Sequence, residues 1–321
     1  MKFINSFKEG DRVQGVYFCK SKAILQTKAG KDYFNVMLKD KSATMDTKIW
    51  EVTSSGIEDF DTGDYIYIEG EVVSYNNQLQ LKAHRVRKAE SDEYDKNDFV
   101  ESSTKDIKDM EKELDSLIVS VKHKGYNKLL NEIFVDDKNF RKVFVDGSAA
   151  KTVHHAFLHG LLEHTLSVAK MAKAMAENYT DVNVDLVVTA SLLHDIGKTK
   201  ELSELPQSEY TDCGQLIGHI VMGYEMIKRH ADEIKEISDR EKNELYHCIL
   251  SHHGSLEFGS PRTPMLMEAF IVSSADNVDA KLETMRENFQ NAKVTNKKDK
   301  EGFMYDNFIK GNIRETTKVN N

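Results

Sequence analysis

Ser191-Leu192-Leu193-His194-Asp195-Ile196-Gly197-Lys198 closes an apolar run that begins at Val184 and sets an imidazole and a carboxylate side by side at its end. Neighbouring residues on a helix point about 100° apart, so both can serve one site only where the helix stops or the site is crowded with metal. Gly197 is read as that stop, since a glycine just past the last apolar residue commonly ends a helix. Lys198 then places a cation beside the pair, where a phosphate oxygen could meet it. A His-Asp dipeptide alone is as readily a chance neighbour or an N–H to carboxylate pair. Its company decides between these readings.

That company is His164, His219, His252 and Asp276, each in a helix-like segment of its own. Neutral imidazole and carboxylate are ligands that suit Mn, Fe, Co, Ni or Zn, and a carboxylate, unlike an imidazole, can bridge two ions. Asp195 is therefore the natural bridge. The order His, His-Asp, His, His, Asp resembles the HD-domain metal-dependent phosphohydrolases, over roughly residues 150 to 290.

Composition fits this reading. Two domains are expected for 321 residues, each able to bury a core. No run of 18 apolar residues is present to span a membrane, and Met1 to Gly10 lacks the apolar segment of a signal peptide. Cys19, Cys213 and Cys248 are widely spaced and read as reduced thiols of a cytoplasmic protein. The net charge of -9 argues against bulk electrostatic coating of nucleic acid. Residues 1–90 nevertheless carry 14 Lys and Arg against 13 Asp and Glu, so a phosphodiester chain meets that part more easily than the acidic remainder.

Residues 12–88 alternate β-branched and aromatic residues with turns. Strands are expected over Val13–Leu25, Asp32–Leu38, Ala43–Trp50, Asp64–Ser74 and Gln78–Arg87, with turns at residues 28–31, 39–42 and 75–78. Five such strands make a small barrel, and Tyr33 to Trp50 resembles the OB-folds of nucleic-acid-binding proteins. There aromatic rings stack on bases and a basic groove follows the backbone, which nominates Tyr17, Phe34, Trp50, Lys48 and Arg85. About half of such strand aromatics face a core by period alone.

Ala89 to Lys105 is polar and reads as a linker. The expected plan is an all-β OB domain at 1–90, a linker and leading helices at 91–150, an all-α HD domain at 151–290 and a loosely held polar tail at 291–321. Within the helical part, Gln215 to Arg229 is one segment carrying His219. Ser238 with Glu241 forms a capping box for a helix ending at His252. Thr263-Pro264 starts a helix that holds Asp276, with Leu266, Phe270, Ile271 and Val278 on its core face. Asp279 is read as solvated or as lying behind the ligands.

The OB-like domain followed by an HD domain containing Gly160-Leu161-Leu162-Glu163-His164-Thr165 resembles the YhaM family of bacterial 3′-to-5′ exoribonucleases over nearly the whole chain. The resemblance implies a cytoplasmic enzyme that removes nucleotides from the 3′ end of single-stranded RNA, with some reach to single-stranded DNA. It implies two divalent ions, Mn favoured over Co, Fe, Ni or Zn, held by His164, His194, Asp195, His219, His252 and Asp276. Asp195, Lys198 and His155 would carry catalysis, His155 by touching substrate or leaving group; His253 would face metal or substrate. A homo-oligomer fits and a membrane does not. His159 departs from the family pattern, where a small residue, usually Gly, is expected. Two other classes stay open: a nucleotide phosphohydrolase with the same helical core, and a single-strand-binding protein whose metal is structural.

Overall fold

A computed structural model describes residues 2–76, 78–151, 155–295 and 302–317. Asn77, in the third expected turn, and His154 lie outside them. The described chain forms two compact units, one of residues 1–102 with 205–207 and one of residues 103–204 with 208–321.

The first unit is a closed five-stranded barrel of β1 (Arg12–Gln26), β2 (Asp32–Lys39), β3 (Thr44–Ile49), β4 (Tyr65–Tyr75) and β5 (Gln78–Lys88), in the order β1-β2-β3-β5-β4. This is the OB arrangement, with every strand at the expected place. Closure comes from the parallel pairing of β3 with β5 at Thr47, Lys48 and Ile49, against antiparallel pairing elsewhere. Alternation sends Val36, Leu38, Ile49, Ile66, Ile68, Val72, Leu81 and Val86 inward, all fully buried. Each such side chain contributes roughly 1.5–3 kcal/mol through burial.

The stretch after β5 differs from a simple linker. Phe99 is fully buried against Val16 and Phe18, and Tyr94 stacks on Tyr65 with ring centroids 4.2 Å apart. Two aromatics suffice to hold an otherwise polar segment on the barrel.

The second unit is helical: α1 (Ile107–Ser120), α2 (Lys124–Asn131), α3 (Lys138–Asp146), α4 (Gly160–Ala176), α5 (Val184–Leu193), α6 (Lys198–Glu201), α7 (Asp212–Ile217), α8 (His219–Ala231), α9 (Asp239–Ser251) and α10 (Met267–Thr295). α5 reads Val-Asp-Leu-Val-Val-Thr-Ala-Ser-Leu-Leu and buries every residue from Leu186 on, so it is a central helix, apolar on all sides. Asn183 caps its start by accepting the Leu186 N–H, and the capping box of Ser238 and Glu241 opens α9 as expected.

Three expectations change. Gln215 to Arg229 is two helices, broken at Gly218, whose φ of 79° a helix does not allow. α10 begins at Met267 rather than at Pro264, and the Met265 N–H before it donates to Nε2 of His247 on α9. Its inward face carries Ala269, Val272, Ala275 and Asp279, while Phe270 and Val278 are 65% and 43% exposed. The tail is also more ordered than its composition suggests: β6 (Met304–Asp306) and β7 (Gly311–Ile313) form a hairpin with Asp306 and Ile313 buried.

Candidate metal centre

Five helices deliver one constellation. His164 lies on the second turn of α4, His194 caps α5 with Asp195 in the turn beyond, and His219 is the first residue of α8. His252 and His253 follow α9, and Asp276 and Asp279 stand three apart on α10, which puts both on one face. Gly197 acts differently from the expected stop. Its φ of -63° is ordinary, but a Cβ there would lie 2.0 Å from the His219 carbonyl oxygen. Glycine is required so that the start of α8 can press against the turn holding Asp195.

Three groups have all their candidate ligand atoms within 4.8 Å of one another: His164, His194 and Asp276; Asp195, His219, His252 and His253; and His155, His164 and Asp279, in which His164 takes part through Nδ1, so two clusters face the centre. Asp195 joins them. Its Oδ2 is 3.4 Å from Nε2 of His164 and 3.3 Å from Nε2 of His194, whereas its Oδ1 is 3.6 Å from Nε2 of both His219 and His252. One carboxylate thus turns one oxygen to each cluster.

The imidazoles are all held the same way round. Nδ1 of His164 donates to Asp279, of His194 to the Ser191 carbonyl, of His219 to Glu201, of His252 to the Ile249 carbonyl and of His253 to the Phe258 carbonyl, at 2.6–3.0 Å. With the proton on Nδ1, each Nε2 presents a bare lone pair to the centre. Nε2 of His164 and of His194 are 3.3 Å apart, as are those of His219 and His253. Lone pairs at that distance repel unless a cation lies between them, and roughly 3 Å is the separation of two ligands about 2.1 Å from one ion. Nε2 of His252 and Oδ1 of Asp195 are buried without a hydrogen-bond partner. The donor set fits divalent metal.

Electrostatics agree. Burial would raise the Asp195 carboxyl, yet the Lys198 ammonium and the His194 and His164 imidazoles hold it well below the usual carboxylate range. Burial works against a charged His164, but Asp195, Asp276 and Asp279 push its pKa well above the usual imidazole value, which reflects how strongly three carboxylates around one imidazole attract a cation, whether proton or metal. The pocket at Asp276 and Asp279 therefore draws positive charge. His252 and His253 are pushed down by burial and kept neutral, as ligation requires.

Lys198 and His155 were both expected to touch substrate. Lys198 Nζ lies 2.6 Å from Oδ2 of Asp195 and its side chain is 15% exposed, so the same lysine neutralises the bridging carboxylate. His155 is a correction: it is 2% exposed and its Nε2 is 3.1 Å from Oδ2 of Asp279, which places it behind His164 rather than over a substrate. Of the two readings of Asp279, the one that puts it behind the ligands holds, whereas Glu201 was not singled out; Asp279 orients the imidazole of His164 and Glu201 that of His219. The i, i+3 spacing from Asp276 was the available signal for Asp279; nothing local marks Glu201. His159 adopts φ 69°, the left-handed conformation in which glycine is unstrained, which explains the residue expected there.

Within the barrel the nominated residues divide. Tyr17 is fully buried, edge-on to Phe7, with its hydroxyl donating to the Lys2 carbonyl, so it is a core residue with no face for a base. Phe34 packs edge-to-face on Phe60 and lies beneath the Lys22 ammonium, 4.5 Å away. Lys48 is paired with Asn35 and Asp46, and Arg85 with Glu69 at 3.5 Å. Trp50 is 44% exposed and leans on Tyr33, ring centroids 4.6 Å apart. Among the described residues no helix is long and apolar enough to cross a membrane.

A closed OB barrel joined to a helical HD domain defines the class, that of metal-dependent HD hydrolases, and the HD domain family model matches residues 161–281. Two relatives named 3′-5′ exoribonuclease YhaM, from Listeria welshimeri and Listeria monocytogenes, are each 32% identical over 88% of this chain and 90% of their own. The chain belongs to the YhaM exoribonuclease family. Among solved structures, the second OB-fold domain of replication protein A from Methanococcus maripaludis is similar over 28% of this chain and 95% of its own, at 15% identity and a TM-score of 0.23. A replication protein A heterotrimer bound to single-stranded DNA is similar over 28% of this chain and 65% of its own, at 13% identity and a TM-score of 0.20.

Proposed function

We propose that the protein is a metal-dependent 3′-to-5′ exoribonuclease that hydrolyses the terminal phosphodiester of single-stranded RNA, and of single-stranded DNA more weakly, with two divalent ions. One observation carries the reading: the two oxygens of Asp195 face two separate ligand clusters. His164, His194 and Asp276 would hold one ion, and His219, His252 and His253 the other, with Asp195 common to both. Bound there, divalent ions would supply water activation and a hold on the phosphate oxygens. Manganese is the favoured metal, since the set mixes imidazole with carboxylate and holds no thiolate.

The chain's own groups do the rest. Lys198 keeps a positive charge next to Asp195, because that carboxylate outweighs the burial that would discharge it. The ammonium balances the acidic centre and stands ready for charge that develops on the phosphate. Asp279 and Glu201 fix the imidazoles, so that little reorganisation accompanies reaction. The barrel would grip the strand through exposed rings such as Trp50. A cytoplasmic setting suits the three free cysteines.

Purified protein should release mononucleotides from the 3′ end of single-stranded RNA when Mn is added, and should spare RNA blocked at that end. Asp195→Asn should abolish release while RNA binding persists, because an amide of the same shape cannot bridge two cations. Near-normal turnover in that variant would overturn the two-ion scheme. Equal hydrolysis of free nucleotides would favour a nucleotide phosphohydrolase instead.

A further inference from the structure

One side of the metal centre carries large apolar side chains that no core uses. Leu256 and Phe258 are 65% and 68% exposed, on the one-turn helix Leu256–Phe258 that follows the ligands His252 and His253. The turn is built rather than slack. The Ser255 side chain accepts the Glu257 N–H, and Gly254 and Gly259 bracket the turn with φ of 75° and 85°. A Cβ on Gly254 would come within 2.6 Å of Ser273 Oγ, so this backbone is also pressed against α10. Most telling, the Phe258 carbonyl accepts the Nδ1–H of His253 at 2.7 Å. The residue that orients a ligating imidazole is the one that offers an aromatic ring to solvent.

We propose that the Phe258 ring, with Leu256 beside it, is the stacking platform for the base of the nucleotide at the 3′ end of the bound strand. This rests on the exonuclease reading above. A phosphate held between the ligand clusters leaves its base within one nucleotide's length, and Phe258, whose main-chain carbonyl bonds the His253 imidazole, is the neighbouring residue with an exposed ring. The occupant is a nucleobase because an enzyme that shortens RNA stepwise must accept every base in turn. Stacking on a ring meets that need, since each base has a π-face and no base edge is read. The platform would hold the chain end in register for each cut and leave base identity unread.

The test compares wild type with Phe258→Ala, Phe258→Leu and Phe258→Tyr, using Mn and RNA ending either in a normal nucleotide or in an abasic ribose. Wild type is expected to favour the normal end by about tenfold or more in kcat/KM. Phe258→Ala and Phe258→Leu should lose that preference, Phe258→Tyr should keep it, and all should bind Mn as wild type does, since the carbonyl to His253 is main chain. The platform is overturned if wild type cleaves both ends equally well, or if Phe258→Ala keeps the full preference. It is also overturned if the substitution changes only the association state of the protein, which would make the patch a contact between copies. Failure of wild type to cleave any free 3′ end with Mn would instead overturn the exonuclease reading itself, and the platform with it.

Discussion

Asp279 accepts the Nδ1 proton of His164 at 2.7 Å. The same carboxylate takes a bond from His155 Nε2 at 3.1 Å and another from the Ser167 hydroxyl. These contacts hold it well below the usual carboxylate range although burial opposes them. It is therefore an anion at neutral pH, and it fixes His164 with Nε2 toward the centre. Asp279→Asn should weaken Mn binding about 10- to 100-fold, measured by competition against a fluorescent chelator. An unchanged affinity would show that His164 needs no such anchor.

Lys198 opens the single turn α6 and is largely buried against Asp195. Lys198→Ala should lower single-turnover cleavage on the order of 10²-fold with bound metal undiminished. A rate within a few-fold of wild type on the same preparation would leave it no role beyond neutralising Asp195.

Gly197 meets the His219 carbonyl so closely that even a methyl group must move α8. Gly197→Ala should cost about 1–3 kcal/mol of stability, read by chemical denaturation. Metal stoichiometry should fall alongside, because His219 begins the helix that is displaced. Retention of both would mean that the turn can yield without moving the ligand.

Glu163 is paired with Lys105 at 2.8 Å and accepts a bond from Ser103, so its carboxyl lies below its ordinary 4.5 although burial works the other way. A depressed carboxylate adds stability that is present above the unfolded value and lost as pH falls through the folded one. The stability advantage of wild type over Glu163→Gln should be largest at neutral pH and should close on the acid side of 4.5. Urea melts at both pH values check this; a gap that widens in acid would reverse the sign.

Trp50 and Tyr17 should respond oppositely. Trp50→Ala should weaken single-strand binding by about 1–3 kcal/mol, read by fluorescence anisotropy, with little change in melting. Tyr17→Ala should cost about 3–5 kcal/mol of barrel stability, because the ring fills the core. Early melting of Trp50→Ala would make Tyr33 and Trp50 a structural pair.

Local chemistry made much of this protein legible before any fold was known. Period-two alternation and turn residues located five strands, because each strand of a small barrel has one face in the core. The candidate ligands His164, His194, Asp195, His219, His252 and Asp276 were legible as residue types in order, and the fold gathers them, because imidazole and carboxylate at helix ends have few other uses in such numbers. Three-dimensional packing decided the rest. Alternation cannot say which face is inside, so Tyr17 and Trp50 looked alike until the barrel closed. Gly197 read as a helix stop because its actual constraint, the His219 carbonyl, is contributed by another helix. The anchors Asp279 and Glu201 act through hydrogen bonds formed only when distant helices meet, α10 to α4 and α6 to α8. The order of residues names the candidate ligands, and local carbonyls already turn His194, His252 and His253; the angles at which helices pack decide which nitrogen His164 and His219 present to the centre.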